Sequence, residues 1–198
     1  MGNIILGTNQ QVWDRSQITV CELIASGTKK MHQNLDHVAA VDATGGIVTI
    51  PCTGHGYAAG SMIGIRGSTN YNGVYEIVAV DTDTFNVYAD YVAETFINTE
   101  TVRPEVAPGV PFRIIESRLQ LSAAGGAAEN YTITLDSAHG AAFDAALIAQ
   151  DMTTATQLLT DWGEKFKVFN SGDIVYYGYA NSNSKTWGLE VKYEILNR

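Results

Sequence analysis

Between Gly46 and Tyr88 the chain alternates short apolar runs with turn residues. GIVTIP (46–51) is an apolar run stopped by proline, SMIGIRG (61–67) is a second run, VYEIVAV (74–80) alternates apolar and polar positions, and FNVYADYV continues from Phe85. The punctuation between them is TGHGYAAG (53–60), NYNG (70–73) and DTDT (81–84). A two-residue period bounded by Gly, Asn and Asp clusters predicts strands and hairpins. Asn72-Gly73 in particular predicts a tight turn at positive φ. Four or five such strands in roughly fifty residues predict a small barrel or curled sheet.

The flanking sequence has the same character. QITVCELIA (17–25) reads as a strand. In KKMHQNLDHVAAV (29–41), Met31, Leu35 and Val38 fall at i, i+4 and i+7, which favours a helical turn or two over an irregular connection. TVRPEVAPGVPF (101–112) holds three of the four prolines, and proline fixes φ and removes a donor, so an extended connector is expected. Beyond it, 113–121 and 130–136 read as strands around the loop SAAGGAA. AFDAALIAQDMTTATQLLTDW (142–162) is rich in alanine, which suits a helix. Phe143, Ala145, Leu147 and Ala149 alternate, however, so strand, turn and strand is the reading adopted. At the C-terminal end, turns at 170–173 and 180–184 bracket a strand to Tyr179, and a last strand from Trp187 to Leu196 would close a final hairpin.

The residue pattern predicts an all-β chain with a small β-barrel-like module, and the resemblance given below implies that the rest is an antiparallel β-sandwich, jelly-roll-like, into which the module is inserted. The parts of the chain are an N-terminal arm and strand (1–43) able to complete the sandwich, the small β module (44–99), a Pro-rich connector (100–112) and the β-sandwich domain (113–198).

Composition narrows the function. Of 198 residues 17% are charged and the net charge is −9; the basic residues are scattered, with Lys29-Lys30 the one adjacent pair. Nucleic-acid affinity comes from clustered Lys and Arg, so free nucleic acid is not an expected partner. The opening MGNIILGTNQQVWD lacks a basic start and an apolar core, and no run approaches the ~18 apolar residues of a membrane span, so neither a signal peptide nor a membrane partner is expected. Cys21 and Cys52 are too few for a disulfide framework and are expected as buried thiols.

Chemistry is sparse. There is no Gly-x-Ser-x-Gly elbow, and Asp136-Ser137-Ala138-His139 reads as a polar loop. His32 and His37 are five apart, off the spacing that stacks two ligands on one helix face, while His55 and His139 are distant. Asp81-Thr82-Asp83-Thr84 lacks the glycine and distal glutamate of a calcium loop. Glu116, Glu129 and Glu190 show nothing distinctive. No catalytic residue, metal or cofactor is expected, and the chain is read as non-enzymatic. The positive signal is aromatic. Tyr176, Tyr177, Tyr179, Trp187 and Tyr193 occupy the last two strands. One face of those strands must be core, while the other can serve as a subunit interface or a sugar-stacking platform, for which Tyr177, Tyr179, Trp187 and Tyr193 are the candidates.

Two stretches resemble known proteins. GHGYAAGSMIGIRGSTNYNGVYEIVAVDTDTFNVY (54–88) looks like the small β module inserted in many tailed-phage structural proteins, with His55-Gly56, Asn72-Gly73, Tyr75 to Val78 and Asp81 to Phe85 in the places of its usual run. ENYTITLDSAHGAAFDAALIAQDM (from Glu129) and SGDIVYYGYANSNSKTWGLEVKYEI (from Ser171) resemble the β-sandwich domains of phage tail and head decoration proteins. Together they cover a little over half of the chain. The resemblance implies a virion structural protein that forms a homo-oligomer, a trimer or hexamer, and contacts major capsid or tail proteins. A neck or baseplate adaptor and a carbohydrate- or receptor-binding module are the alternatives.

Overall fold

The computed structural model describes residues 18–163 and 168–196; the first 17 residues of the expected N-terminal arm, with the stretch read for a signal peptide, lie outside them. Among the described residues fifteen strands run in the order β1 (Ile18–Gly27), β2 (Gln33–Asn34), β3 (Val41–Asp42), β4 (Ile47–Pro51), β5 (Met62–Arg66), β6 (Gly73–Val80), β7 (Thr84–Tyr88), β8 (Thr101–Arg103), β9 (Glu105–Val106), β10 (Phe112–Leu121), β11 (Asn130–Asp136), β12 (Ala145–Asp151), β13 (Gln157–Asp161), β14 (Ile174–Tyr179) and β15 (Trp187–Leu196). The helical content of the described residues is a single 3-10 turn, Ala141–Phe143.

Eight strands form two four-stranded sheets, β1-β15-β10-β13 and β12-β11-β14-β9, and every pairing is antiparallel. Taken in chain order, the first of the eight pairs with the last (β1·β15), the second with the seventh (β9·β14), the third with the sixth (β10·β13) and the fourth with the fifth (β11·β12). That is one long antiparallel ribbon rolled up, the winding of a jelly roll. The inward positions follow the two-residue period: Trp187, Leu189 and Val191 on β15, Tyr131, Ile133 and Leu135 on β11, and Val175, Tyr177 and Tyr179 on β14 are all buried. On β10 the register against β15 shifts between Ile114 and Glu116. This bulge resets the parity, so that Phe112 and Ile114 before it and Leu119 and Leu121 after it all face the core.

The other seven strands form a curled sheet, β2-β8-β5-β6-β7-β4-β3, inserted between the first and second sandwich strands. β6 turns the corner. Its first half pairs with β5, its second half with β7, and the register shifts between Ile77 and Ala79. The end strands β2 and β3 both lie in the segment 33–42, so one stretch of chain joins the two ends of the sheet. Val48, Ile50, Ile63, Ile65, Ile77, Phe85 and Val87 fill its interior.

Several local expectations change. The segment 29–41 is extended rather than helical. Two of its backbone donors reach distant segments, Met31 N–H to Tyr179 O of β14 at 3.0 Å and Leu35 N–H to Glu100 O just before β8 at 2.9 Å, and only Met31 and Leu35 of its three apolar positions are buried. Asn72-Gly73 does not make a positive-φ turn, because Gly73 already opens β6 opposite Ile65. The loop before it closes through side chains: Asn72 accepts the Ser68 N–H at 3.1 Å, and the Glu94 carboxylate takes the Ser68 hydroxyl and the N–H groups of Thr69 and Asn70. The proline-rich stretch is extended, but it carries β8 in the curled sheet and β9 in the sandwich. β14 and β15 are not a hairpin either. They lie in opposite sheets, and the 180–186 connection crosses between them. The alternating 143–149 pattern does become a strand, β12, followed by β13.

Candidate interaction surface

The position of β14 and β15 decides the aromatic residues. Tyr177, Tyr179 and Trp187 are buried within the chain and Tyr193 is half-buried on the same inward face. Tyr177, Tyr179 and Trp187 present no ring for stacking, while Tyr193 lines a pocket of 190 Å³ with Met62, Val74 and Pro108. Residues i, i+2 and i+4 of both strands converge between the sheets because the strands face one another instead of lying side by side. Trp187 donates its Nε1–H to Lys29 O at 2.7 Å and meets Tyr57 edge-on at 6.1 Å, so it joins sandwich to module. The hydroxyls of Tyr131, Tyr177 and Tyr179 are buried with no hydrogen-bond partner among the described residues, and burial pushes the Tyr131 and Tyr177 ionisations well up.

The exposed counterpart is the outer face of β1-β15-β10-β13. Register places Ile24 opposite Glu190, Glu190 opposite Arg118 and Arg118 opposite Leu159, a row across all four strands. The adjacent row is Glu22, Lys192, Glu116 and Asp161. Arg118 and Lys192 pair with Glu190, and Arg113 with Glu194, so the middle of the face is an alternating-charge ladder. Large apolar side chains stand at its margins: Val20 is 63% and Ile24 53% exposed on β1, and Leu159 is 60% exposed on β13. A shallow cleft of 370 Å³ opens over Gly188, with Ile24, Arg118, Gln120, Gln157 and Glu190 around it. From Thr19 to Ala25 the outer edge of β1 has no neighbouring strand among the described residues.

The polar residues weighed from sequence are structural in their contacts. His55 is buried. Its Nδ1 accepts the Tyr57 N–H at 3.0 Å, which leaves Nε2 to donate to Asp81 O and Thr84 O at 2.9 and 3.0 Å, fastening the β6–β7 turn. Ser137 donates to the buried Asp173 at 3.4 Å and accepts the His139 N–H, while the His139 ring stands edge-on to Phe143. That order places serine on the carboxylate with the imidazole turned elsewhere, the wrong sequence for a nucleophile–base relay. Cys52 is buried with its thiol pushed up to about 12, mainly by burial; Cys21 is half-buried, and both are unbridged. Among the described residues no group of three or more His, Cys, Asp or Glu could hold a metal ion, and no helix is long and apolar enough to cross a membrane.

One polar cluster gave no sequence signal. Glu105 on β9 is fully buried and accepts from Arg66 of β5, Nε at 2.7 Å, and from Arg103 of β8, Nε at 3.2 Å. Arg103 also reaches Asp136 at 3.4 Å and lies 3.7 Å over the Tyr176 ring. A Cβ at position 64 would meet the Glu105 side chain at 2.0 Å, so glycine is required where β5 passes it. The acid and its two bases are scattered over forty residues, and only the docking of module on sandwich brings them together.

Comparison of the chain with protein-family models, with curated proteins and with solved structures finds no match in any of the three.

Proposed function

We propose that this chain is a non-enzymatic structural protein of a tailed-phage virion, decorating or stabilising head or tail through protein–protein contacts. The observation that carries the reading is the outer face of β1-β15-β10-β13: Val20, Ile24 and Leu159 are large, apolar and exposed at the margins of a charge ladder, beside the edge of β1 that no other strand among the described residues covers. Apolar side chains around complementary charge are the composition of a docking surface. The resemblances of 54–88 and of the two sandwich stretches to phage modules point the same way. The jelly roll itself is neutral, since one fold hosts many functions.

A stable contact on this face would bury on the order of 1,200 Å² in total. Light scattering across a dilution series tests the reading. The expected result is a trimer or hexamer that falls to the monomer mass when Ile24 and Leu159 are both replaced by glutamate. A wild-type chain that stays monomeric at every concentration counts against self-assembly, and an oligomer indifferent to the double substitution counts against this face.

A further inference from the structure

A second groove, of 410 Å³, lies on the outer side of the other sandwich sheet. Its floor is Gly178 of β14 beside Thr132 of β11, which face each other in register. The floor is low because position 178 is glycine; a Cβ there would sit 2.8 Å from the Thr132 Oγ1. One wall is the segment 30–34, held along β14 by the bond from Met31 N–H to Tyr179 O and presenting Lys30, His32 and Asn34. Asn130 stands on the opposite side. The volume is that of a small-molecule site, ~300–1,000 Å³.

The chain carries a net charge of −9 and the groove is mixed: the groups acting on His32 are the cations Arg103 and Lys30, while Asp151 of β12 lies opposite Asn130 in register on the other side. Burial first, then those two charges, lower the imidazole's ionisation, so near neutral pH it is an uncharged hydrogen-bonding ring set edge-on to Tyr176 at 6.2 Å. Arg103 is engaged by Glu105 and Asp136. Lys30 is exposed and lines the groove. Around that one point charge stand the exposed amide of Asn130 and the side chains of Asn34 and Thr132, which donate to Asn98 O at 3.0 Å and Gly178 O at 3.4 Å and keep their oxygens as acceptors.

We propose that this groove binds a sugar-sized polyhydroxylated anion, its acidic group on Lys30 and its hydroxyls on Asn130, Thr132 and Asn34. A uronic acid and a sugar phosphate share that chemistry. The site is independent of the docking face and of the virion reading.

Calorimetric titration of the full chain near neutral pH with glucuronate, glucose 6-phosphate, glucose and inorganic phosphate tests it. At least one of the two sugar anions should bind ten-fold or more tightly than either glucose or phosphate, and which of the two is preferred distinguishes carboxylate from phosphate. Lys30→Glu and Asn130→Ala, both at exposed side chains, should each weaken that binding ten-fold or more at an unchanged melting temperature. Absence of binding by both sugar anions, equal binding of glucose or phosphate, or full affinity in Lys30→Glu would overturn the proposal.

Discussion

The curled module and the jelly roll handle buried polarity in opposite ways. In the module, polar groups that leave water find partners. The Tyr57 hydroxyl donates to Met31 O and lies 3.2 Å from Val102 O, His55 is satisfied on both nitrogens, and the Glu94 carboxylate gathers the donors of the 68–70 loop. The jelly roll instead buries Tyr131, Tyr177 and Tyr179 for their rings and leaves their hydroxyls unpartnered, with Tyr131 and Tyr177 stacked at 6.5 Å. Loops that fold back on themselves can place a donor beside an acceptor. Two sheets meeting face to face present mainly side chains to one another, and ring area outweighs the hydroxyl's loss of water. The buried carboxylates Glu105 and Asp173 lie at the sandwich's margins, where Glu105 meets the module and Asp173 ties two turns.

Glu105 is where the two regimes join, and its loss should have the largest effect. Glu105→Ala would leave Arg103, whose side chain is 9% exposed, and Arg66 without their shared carboxylate. Removing one partner of a buried ion pair costs ~3–5 kcal/mol, because the other charge stays buried. Urea unfolding should show that loss. A cost under ~1 kcal/mol would mean that apolar packing alone fixes module to sandwich.

Asp173 tests the sandwich margin. Its carboxylate accepts from Asn170 N–H at 2.7 Å, Ala138 N–H at 2.9 Å and the Ser137 hydroxyl, holding the turn before β14 against the turn after β11. Burial alone would raise its pKa, but the Asn170, Ala138 and Ser137 hydrogen bonds and the His139 charge outweigh it and the net shift is downward. With the folded value below the unfolded one, near ~3.9, the stabilisation is complete above the unfolded value and lost as pH falls through the folded one. Asp173→Asn should lower stability by ~1.5–3 kcal/mol at neutral pH, the range for hydrogen bonds to a charged group. Melting temperatures followed from pH 7 down through the carboxylate range should converge for wild type and variant in acid. A gap that persists unchanged at low pH would assign the loss to packing.

The same contrast explains what the sequence disclosed. The module's strands pair with sequence neighbours, β5 with β6 and β6 with β7, so period-two runs and turn residues at 53–60, 70–73 and 81–84 located them without knowledge of the rest. The sandwich pairs β1 with β15 from opposite ends of the chain, and β14 and β15, adjacent in sequence, lie in different sheets. Individual strands were legible there from the pattern, while the outline of a jelly-roll-like sandwich with an insertion came with the resemblance of 129–152 and 171–195 to phage sandwich domains. The faces of Tyr177 and Trp187 were not, because a hairpin and a crossover read alike in a single pattern. Ile24 and Leu159 drew no attention for a related reason: each is an ordinary aliphatic until register sets them in one row. The 29–41 segment read as helical because an i, i+4, i+7 spacing cannot reveal that its N–H groups have partners on β14 and near β8.

The smallest effects should come from removing single hydroxyls, and there the comparison predicts a difference in sign. Tyr57→Phe leaves the ring in place and deletes the donor that Met31 O receives at 2.5 Å, which should cost about 1 kcal/mol. Tyr177→Phe deletes a buried hydroxyl that makes no hydrogen bond, relieving its desolvation penalty without disturbing the stack on Tyr131. It should therefore be neutral or stabilising by up to ~1 kcal/mol. Parallel urea titrations of the two variants compare the regions through one chemical change. If both destabilise equally, the sandwich hydroxyl is as well solvated in its core as the module's, and the distinction between the two cores would fall.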